Sequence, residues 1–356
     1  MNQKVLVAMS GGVDSSVAAL ILKEQGYDCT GVIMRLFSSE DALPLAKRPC
    51  CNPQEILDAQ AVAEKLEIPF SVYDCTQDFR KGVIEYFINT YLAGGTPNPC
   101  VECNRVMKFG KLLSAAREMG CEYVATGHYA KVKRDCGGRW LLCKAEDSTK
   151  DQTYVLWSLT QEQLSHTLFP LGDLKKSDAR LLAEGRGFSN AKRKESQDIC
   201  FVPDGDYASF IERYTGKKFP SGNFLDLQGN VLGTHRGCIH YTVGQRKGLG
   251  IAFGTPTYVC AKNAANNTVT LGSNEELFSR ELTANSINLI ALPRLRVPLR
   301  VEAKIRYTAI PARATVEQTD SDRLHIRFDE PQRAISPGQS VVLYDGDVVI
   351  GGGIIE

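Results

Sequence analysis

Hydrophobic and polar residues are arranged in two ways along the first half of the chain. Short apolar runs that stop at glycine or polar residues predict strands at residues 4–9, 29–37, 70–73 and 123–126. Between them, apolar residues recur every three or four positions and predict helices at residues 15–24, 54–66, 83–92 and 108–119. Strands and helices that alternate in this order predict a parallel sheet covered on both faces. Ligands of such sheets bind at the carboxyl ends of the strands.

The pattern changes after about residue 205. A short helix is predicted at residues 207–214, and β-branched runs separated by glycine and asparagine turns follow it. From residue 282 onward, short strands alternate with turn signals such as Pro337-Gly338 and Asp345-Gly346. We therefore expect an α/β domain at residues 1–204, a small mixed central domain at 205–281 and a C-terminal β-barrel at 282–356.

Composition narrows the class of protein. A chain of 356 residues is long enough for two or three domains, and 43% hydrophobic with 23% charged residues is typical of a globular protein. The formal net charge is only +1, so local basic patches would have to bind any nucleic acid. The apolar run at residues 5–9 is too short for a signal peptide or a membrane span. We expect a cytoplasmic protein with no membrane partner.

The segment Ser10-Gly11-Gly12-Val13-Asp14-Ser15-Ser16 joins the first predicted strand to the first predicted helix. Its glycines let the backbone approach a phosphate, and amides at the start of the helix donate hydrogen bonds to an anion. Asp14 would help to position Mg²⁺ on the phosphates. No lysine follows the glycines, which excludes the phosphate loop that ends in Gly-Lys-Ser/Thr.

This segment resembles the pyrophosphate loop of the N-type ATP pyrophosphatases, which cut ATP between its α and β phosphates. The resemblance implies an adenine nucleotide α-hydrolase-like fold for the first, nucleotide-binding domain. The alternative is an ordinary strand-to-helix turn capped by Asp14 and Ser15. Seven consecutive matching residues in the expected context favour the phosphate loop.

Twelve cysteines in a chain without an export signal argue against a disulfide scaffold. Seven of them are expected to be small buried hydrophobic residues: Cys29, Cys75, Cys121, Cys136, Cys143, Cys238 and Cys260. Cys103 follows the prolines of Thr96-Pro97-Asn98-Pro99-Cys100-Val101-Glu102 at the expected start of a helix, where the dipole would lower its pKa. Cys200 follows the basic stretch Lys192-Arg193-Lys194, whose charges favour a thiolate. The alternatives are half of a zinc site for Cys103, although no second Cys-x-x-Cys is present, and a buried strand cysteine for Cys200.

Several motifs occur in an order that resembles the tRNA-specific 2-thiouridylase family over nearly the whole chain. After the phosphate loop and the Thr-Pro-Asn-Pro segment come Ala125-Thr126-Gly127-His128-Tyr129, Lys150-Asp151-Gln152-Thr153-Tyr154, Ser196-Gln197-Asp198-Ile199-Cys200-Phe201, Thr242-Val243-Gly244-Gln245-Arg246-Lys247-Gly248-Leu249 and Arg306-Tyr307. No single motif is decisive, but the ordered set is specific.

The resemblance implies a reaction and the residues that carry it. ATP would adenylate the C2 oxygen of the wobble uridine of tRNA, and sulfur would then replace the adenylate, giving 2-thiouridine, AMP and pyrophosphate. The positions that match ATP-binding residues are Ala8, Met9, Ser10, Gly11, Gly12, Val13, Asp14, Ser15, Met34 and Gly127. Those that match contacts to the target base are Asn98, Pro99 and Cys100, and those that match tRNA contacts are Lys150, Asp151, Gln152, Arg306 and Tyr307.

The resemblance also assigns the sulfur chemistry and the partners. Cys103 matches the nucleophile and Cys200 the cysteine that carries the persulfide, and the two can join as a disulfide. The implied partners are the tRNA anticodon stem-loop, contacted in part by the central domain, and an upstream sulfur donor, either a cysteine desulfurase or a relay protein. An anticodon loop makes it easy to swing the base out of its stack.

Cys100 departs from the family, much of which has an aspartate at this position. Three thiols at Cys100, Cys103 and Cys200 leave an alternative for the sulfur step, in which they hold an iron–sulfur cluster that binds sulfide. Cys50 and Cys51 would support such a cluster site, relay sulfur, or lie without a chemical role in a loop predicted at residues 38–53.

Two other functions stay open. An amide-forming synthetase that uses ammonia would need the phosphate loop but neither Cys103 nor Cys200, and a non-catalytic RNA-binding protein would release no AMP. Basic residues at Lys192–Lys194 are expected to contact tRNA phosphates, whereas the charges of a predicted hairpin are more typical of a solvated face. Those charges are Lys131, Lys133, Arg134 and Arg139, and a further patch contains Lys175 and Lys176. His128 is either a structural histidine or a ligand contact.

Overall fold

The computed structural model describes residues 2–37, 53–193, 199–251 and 254–356. The loop predicted at residues 38–53 lies, apart from its last residue, outside the described residues. So do Cys50, Cys51, Lys194 and the Ser196-Gln197-Asp198 part of the motif before Cys200.

Seven strands lie in the described N-terminal part of the chain. They are β1 (Lys4–Ala8), β2 (Asp28–Arg35), β3 (Phe70–Asp74), β4 (Tyr123–Ala125), β5 (Lys131–Arg134), β6 (Trp140–Cys143) and β7 (Thr167–Leu168). Five of them form a parallel sheet in the order β3-β2-β1-β4-β7. Val5, Leu6 and Val7 are fully buried in the central strand, which explains its continuous apolar run. The direction of the strand order reverses beside β1, so the loops after β1 and β4 border a crevice at the carboxyl edge of the sheet.

Helices cover this sheet and continue into the central part of the chain. They are α1 (Val13–Glu24), α2 (Pro53–Lys65), α3 (Thr76–Phe79), α4 (Glu85–Leu92), α5 (Pro99–Glu102), α6 (Leu112–Glu118), α7 (Gln161–Ser165), α8 (Lys176–Gly185) and α9 (Tyr207–Thr215). Two π-helical segments, Arg80–Ile84 and Cys103–Lys111, join α3 to α4 and α5 to α6. Short 3₁₀ turns lie at Thr153–Val155, Cys238–His240 and Glu275–Leu277.

Two helices begin earlier in the structure than the sequence predicts. The helices predicted at 83–92 and 108–119 are the second halves of helical segments that start at Thr76 and Pro99. Pro99 occupies the first helical position, where its missing N–H costs nothing, and Asn98 Oδ1 caps the helix by accepting a hydrogen bond of 3.1 Å from the amide of Cys100. The wider π-helical turns also break the 3.6-residue period on which the prediction depends.

The central part of the chain forms a small four-stranded sheet. Its strands are β8 (Gly222–Leu225), β9 (Val231–His235), β10 (Tyr258–Asn263) and β11 (Thr268–Gly272), in the order β10-β11-β8-β9. Phe224, Val259 and Val269 are fully buried at its centre. This unit is the small mixed domain that the sequence predicted.

The C-terminal part is a closed barrel. Its strands are β12 (Phe278–Leu289), β13 (Leu299–Lys304), β14 (Ala312–Asp320), β15 (Arg323–Arg333), β16 (Ser340–Asp345) and β17 (Val348–Ile355). They follow the order β12-β15-β14-β13-β16-β17, and pairing of β12 with β17 closes the ring. The hairpin β5–β6 extends this sheet because Cys143 of β6 pairs with Val348 of β17. The predicted class, a parallel α/β domain followed by a mixed domain and a β-barrel, is confirmed.

One hydrophobic core is shared by the α/β domain and the barrel. Phe109 and Trp157 pack in the same cluster as Ile290, Val342 and Tyr344 of the barrel, and all five are nearly or completely buried. Across the described ranges, no helix is both long and apolar enough to cross a lipid bilayer.

Candidate functional site

The phosphate loop is braced by its own hydroxyls. The amide of Ser10 donates to Ser15 Oγ at 3.1 Å, and Ser15 Oγ donates to the carbonyl of Gly12 at 3.1 Å. Gly11 has a positive φ of 72°, and a Cβ at this position would lie 2.5 Å from the carbonyl oxygen of Glu55. Only glycine therefore fits between β1 and α2, and the loop delivers the free amides of α1 to the carboxyl edge of the sheet.

Two side chains that are distant from this loop in the sequence hold it in place. Asn190 Nδ2 donates to the carbonyl of Gly11 and to Ser16 Oγ, both at 2.9 Å, and Asn190 is 3% exposed. Arg193 forms ion pairs with Glu55 at 2.5 Å and with Asp58 at 3.1 Å. Arg193 was expected to contact tRNA phosphate, but its guanidinium is already engaged by these two carboxylates of α2.

Asp14 is paired with a lysine that the sequence did not single out. Lys176 Nζ, at the start of α8, lies 2.6 and 2.7 Å from the two carboxylate oxygens of Asp14, and the hydroxyl of Tyr129 donates to Oδ1 at 2.9 Å. The sequence assigned Lys176 to a surface patch, whereas its side chain is only 11% exposed. No local signal points to this pair because 162 residues separate its members.

The remaining predicted ATP positions lie at the same edge. Gly127 follows β4, and a Cβ there would lie 2.6 Å from both Asp14 C and Ser15 N, so the two loops are in direct contact. Ala8 ends β1 and Met34 lies near the end of β2, and both are half-buried. The structure therefore brings all ten residues of the predicted ATP set, from Ala8 to Gly127, to the carboxyl ends of three adjacent strands.

The three thiols predicted for sulfur chemistry also converge. Cys100 is in α5, Cys103 begins the π-helical segment and Cys200 lies in a turn, where it is exposed and not in a strand. Cys100 is exposed, but the protein atoms around its thiol displace water and raise the pKa of this thiol, and negative charge on Cys200 raises it further. Charge on Cys200 acts on Cys103 in the same direction. No disulfide joins Cys103 to Cys200 in this structure.

The expected low pKa of Cys103 is wrong. Burial raises the pKa of the Cys103 thiol to about 12, and the ammonium group of Lys108 is the largest opposing influence. The helix begins at Pro99, so its free amides lie one turn before Cys103. Desolvation of the side chain therefore outweighs the helix dipole.

The thiols do not form a metal-binding set in this conformation. Within residues 2–37, 53–193, 199–251 and 254–356, no group of three His, Cys, Asp or Glu side chains is placed to hold a metal ion. The half zinc site considered for Cys103 and the iron–sulfur cluster considered for Cys100, Cys103 and Cys200 stay predictions. Mg²⁺ has one candidate carboxylate at the phosphate loop, Asp14, which fits an ion held mainly by the phosphates of a nucleotide.

The predicted base-contact segment is fixed by the barrel. The amide of Thr96 donates to the carbonyl of Pro337 at 2.7 Å, and Gln339 Nε2 donates to the carbonyl of Thr96 at 2.7 Å. Asn98 is half-buried and Pro99 buried, so Cys100 is the exposed residue of this segment. A turn between β15 and β16 thus holds the residues that lead into the helix of Cys103.

The two predicted tRNA-contact segments meet, although they are distant in the sequence. Burial lowers the pKa of Lys304 and the charge of Asp151 opposes this shift, while Lys304 Nζ lies 5.5 Å from the ring centre of Tyr307. Asp151 also accepts hydrogen bonds from the amide of Ala145 at 3.1 Å and from Thr153 Oγ1 at 2.7 Å, which shape the loop. Gln152, half-buried like Lys150, accepts from the amide of Tyr129 at 2.9 Å.

Arg306 and Tyr307 differ in solvent exposure. Arg306 Nη1 donates to the carbonyl of Arg333 at 3.2 Å and is half-buried, whereas Tyr307 is 42% exposed. Tyr307 therefore offers the accessible aromatic surface of this region.

The hairpin and His128 are largely structural. Arg139 donates to the carbonyls of Ile290 at 2.6 Å and Leu289 at 3.0 Å, and Lys131 pairs with Asp173 at 2.8 Å. Cys136, at the tip of the hairpin, is exposed and not buried as predicted, and Cys260 of the same predicted group is only half-buried.

Burial lowers the pKa of His128, which is therefore neutral. Its Nδ1 atom lies 2.6 Å from Thr126 Oγ1, and its Nε2 atom lies 3.5 Å from Lys108 Nζ.

Comparison with known proteins gives matches over the whole chain. Family models described as tRNA methyl transferase HUP domain, tRNA methyl transferase PRC-barrel domain and aminomethyltransferase β-barrel domain match residues 3–204, 208–273 and 279–355. A tRNA-specific 2-thiouridylase MnmA of Clostridioides difficile is 52% identical over 100% of this chain and 99% of its own length. Proteins of the same name from Acetivibrio thermocellus and Clostridium perfringens are 51% and 48% identical, again over 100% of this chain and 99% of theirs.

Proposed function

Because the chain belongs to the tRNA-specific 2-thiouridylase family, we propose that it catalyses the ATP-dependent 2-thiolation of the wobble uridine of tRNA. One chain of contacts supports this assignment most strongly. Gly127 abuts the phosphate loop, its neighbour His128 contacts Lys108, and the charge of Lys108 acts on Cys103. A nucleotide on the loop and a base held beside the thiols would therefore lie within one site.

The first half-reaction activates the base. A pyrimidine carbonyl oxygen is a poor leaving group, so the C2 oxygen attacks the α-phosphate of ATP and pyrophosphate leaves. The free amides of α1 and the hydroxyl of Ser10 would bind the phosphates. Asp14, released from Lys176, would hold Mg²⁺, which neutralises charge on the leaving pyrophosphate.

The second half-reaction moves sulfur. The outer sulfur of a persulfide on Cys200 attacks C2, and AMP leaves with the oxygen. The thiolate of Cys103 then attacks the Sγ atom of Cys200, the sulfur–sulfur bond to the base breaks, and 2-thiouridine leaves with that electron pair. A disulfide between Cys103 and Cys200 remains, and an external dithiol must reduce it with two electrons before the next cycle.

The partners follow from this chemistry. The substrate is the anticodon stem-loop of tRNA, which Lys150–Gln152 and the exposed ring of Tyr307 would contact. A cysteine desulfurase or a relay protein would load Cys200, which is exposed as such a transfer requires. Since tRNA and ATP are its substrates, we assign the reaction to the cytoplasm.

Mass spectrometry of tRNA nucleosides tests the assignment. The protein is incubated with tRNA, ATP, Mg²⁺ and a persulfide donor, and 2-thiouridine and AMP are quantified. We expect Cys103→Ala and Cys200→Ala to form no 2-thiouridine while still releasing pyrophosphate, and Cys136→Ala, the exposed hairpin cysteine, to match the wild type.

Two outcomes would favour the rival chemistries. Full turnover by the Cys200→Ala variant would favour an amide-forming synthetase. Loss of thiolation on iron removal, with iron present in anaerobically purified protein, would favour a cluster in place of a persulfide.

A further inference from the structure

Lys108 is a half-buried cation that has no carboxylate partner among the residues that the structure describes. Among the described residues, no acidic side chain lies within ion-pair distance of its Nζ atom, which contacts His128 Nε2 at 3.5 Å. His128 is neutral because burial lowers its pKa. A charge in this position is normally balanced by an opposite charge, and none is supplied by the surrounding described residues.

The helical spacing places this cation one turn from Cys103. In the π-helical segment Cys103–Lys111, hydrogen bonds join residues five positions apart, so Lys108 lies one turn beyond Cys103. An α-helical turn would use positions 106 and 107 instead, and Met107 is fully buried in the core. The unusual helix geometry therefore accounts for the position of Lys108.

Three acidic groups act on Cys103 in the opposite direction to Lys108. They are Cys100 and Glu102 on the same helical segment and Cys200 in its turn. Glu102 is held by Arg105 through two hydrogen bonds, of 2.5 and 3.1 Å, which reduces its influence. Of the charges that act most strongly on this thiol, Lys108 is the one that favours its thiolate form.

We propose that Lys108 supplies the positive charge that stabilises the thiolate of Cys103 when this thiol loses its proton to water and attacks the Sγ atom of Cys200, which releases 2-thiouridine. Lys108 keeps its own proton throughout and forms no covalent bond, so it acts as a positioning residue for charge. The proposal deepens the proposed function, because the thiolate it stabilises is the one that releases 2-thiouridine.

Thiol alkylation tests this role without tRNA, ATP or turnover. Iodoacetamide labelling of the reduced full-length protein is followed by mass spectrometry of the Cys103 peptide between pH 7 and 10. In the wild type the rate should rise with pH without reaching a plateau, because the pKa of Cys103 is about 12.

Removing the charge should lower this rate. In Lys108→Met the pKa should rise by about one unit, which reduces the thiolate fraction about tenfold. The more basic thiolate is about threefold more nucleophilic, so the net fall should be about threefold at each pH. Lys108→Arg, which retains the charge, should stay within about twofold of the wild type.

Two controls separate charge from folding. Lys111→Met removes a lysine from the same segment that is exposed and paired with Asp78 at 3.1 Å, and it should leave the labelling of Cys103 unchanged. Labelling of Cys136, exposed on the distant hairpin, should be equal in all four proteins.

Three results would overturn the proposal. An equal fall in Lys108→Met and Lys108→Arg would indicate a role for shape and not charge. Unchanged labelling in both, with weaker binding of ATP or tRNA, would make Lys108 a phosphate contact. A fall in Lys111→Met as large as that in Lys108→Met would indicate a general effect on the helix. Because the free enzyme is labelled, failure here leaves the thiolation assay unaffected.

Discussion

Replacing Gly127 with alanine tests whether the loop after β4 and the phosphate loop form one binding surface. The new Cβ would lie 2.6 Å from Asp14 C and Ser15 N, whereas ordinary contacts of this kind begin at 3.4 Å. Both contacts are to backbone, so no flexible side chain can move aside. The phosphate loop must therefore shift by on the order of 1 Å.

A displacement of this size should affect catalysis more than folding. Misplacing a reacting group by about 1 Å costs about 10²-fold in rate, which corresponds to about 2.7 kcal/mol of transition-state stabilisation. We expect kcat/KM for ATP in tRNA-dependent pyrophosphate release to fall by about this factor. The loss of folding stability should stay within about 1–3 kcal/mol, as for other overpacked sites.

Gly185→Ala is the matched control. Gly185 ends α8 and is exposed, and a methyl group added there would meet no atom within 4 Å outside the backbone of its own helix. This variant should retain wild-type kinetics. If Gly127→Ala binds ATP and releases pyrophosphate within about threefold of the wild type, the contact between the two loops does not position the nucleotide.

Three other perturbations probe the supports of the site. Lys176→Met should lower the free energy of unfolding by about 1–2 kcal/mol, measured by thermal denaturation. This is less than the cost of breaking a fully buried ion pair, because the Asp14 side chain is 33% exposed. The double variant Lys176→Met/Asp14→Asn should lose less stability than the sum of the two single losses. Asn190→Ala should weaken ATP binding about fivefold in calorimetric titration because the carbonyl of Gly11 loses its partner, and unchanged affinity would contradict this bracing role. Burial raises the pKa of Cys75 from 9.0 to about 12, so between these values the folded protein keeps a proton that the unfolded chain loses. The free energy of unfolding should therefore fall between pH 9 and 11 by up to about 1.4 kcal/mol per pH unit. Cys75→Ala should flatten this slope and the exposed Cys136→Ala should not; equal slopes in all three proteins would exclude the effect.

The sequence predicted the order of elements well because the parallel strands carry their signal locally. Val5 to Val7 are apolar since both faces of β1 are buried, and such runs need no knowledge of the rest of the fold. The helix start at Pro99 was missed because a proline also marks the end of an extended segment, and only the cap by Asn98 decides between the two.

The phosphate loop was also a local signal, whereas its supports were not. Ser10 to Ser16 are consecutive, so their chemistry is visible in the sequence. Lys176 and Asn190 reach Asp14 and Gly11 across 162 and 179 residues, and nothing beside them in the chain marks that contact. The pKa of Cys103 was misjudged for the same reason, since burial depends on the tertiary packing of other segments. The domain limits at residues 204 and 281 and the chemical role of each site residue stay predictions.

The core shared by the α/β domain and the barrel has a consequence for the evolutionary history of the chain. Trp157 is buried against Gly352, where a Cβ would lie 2.9 Å from the indole ring, and Asn288 of the barrel donates to the carbonyl of Trp157 at 2.8 Å. A barrel taken from a distant relative would meet this surface with unmatched side chains. Recombination between diverged genes would therefore be tolerated only if the first and last parts of the chain were inherited together.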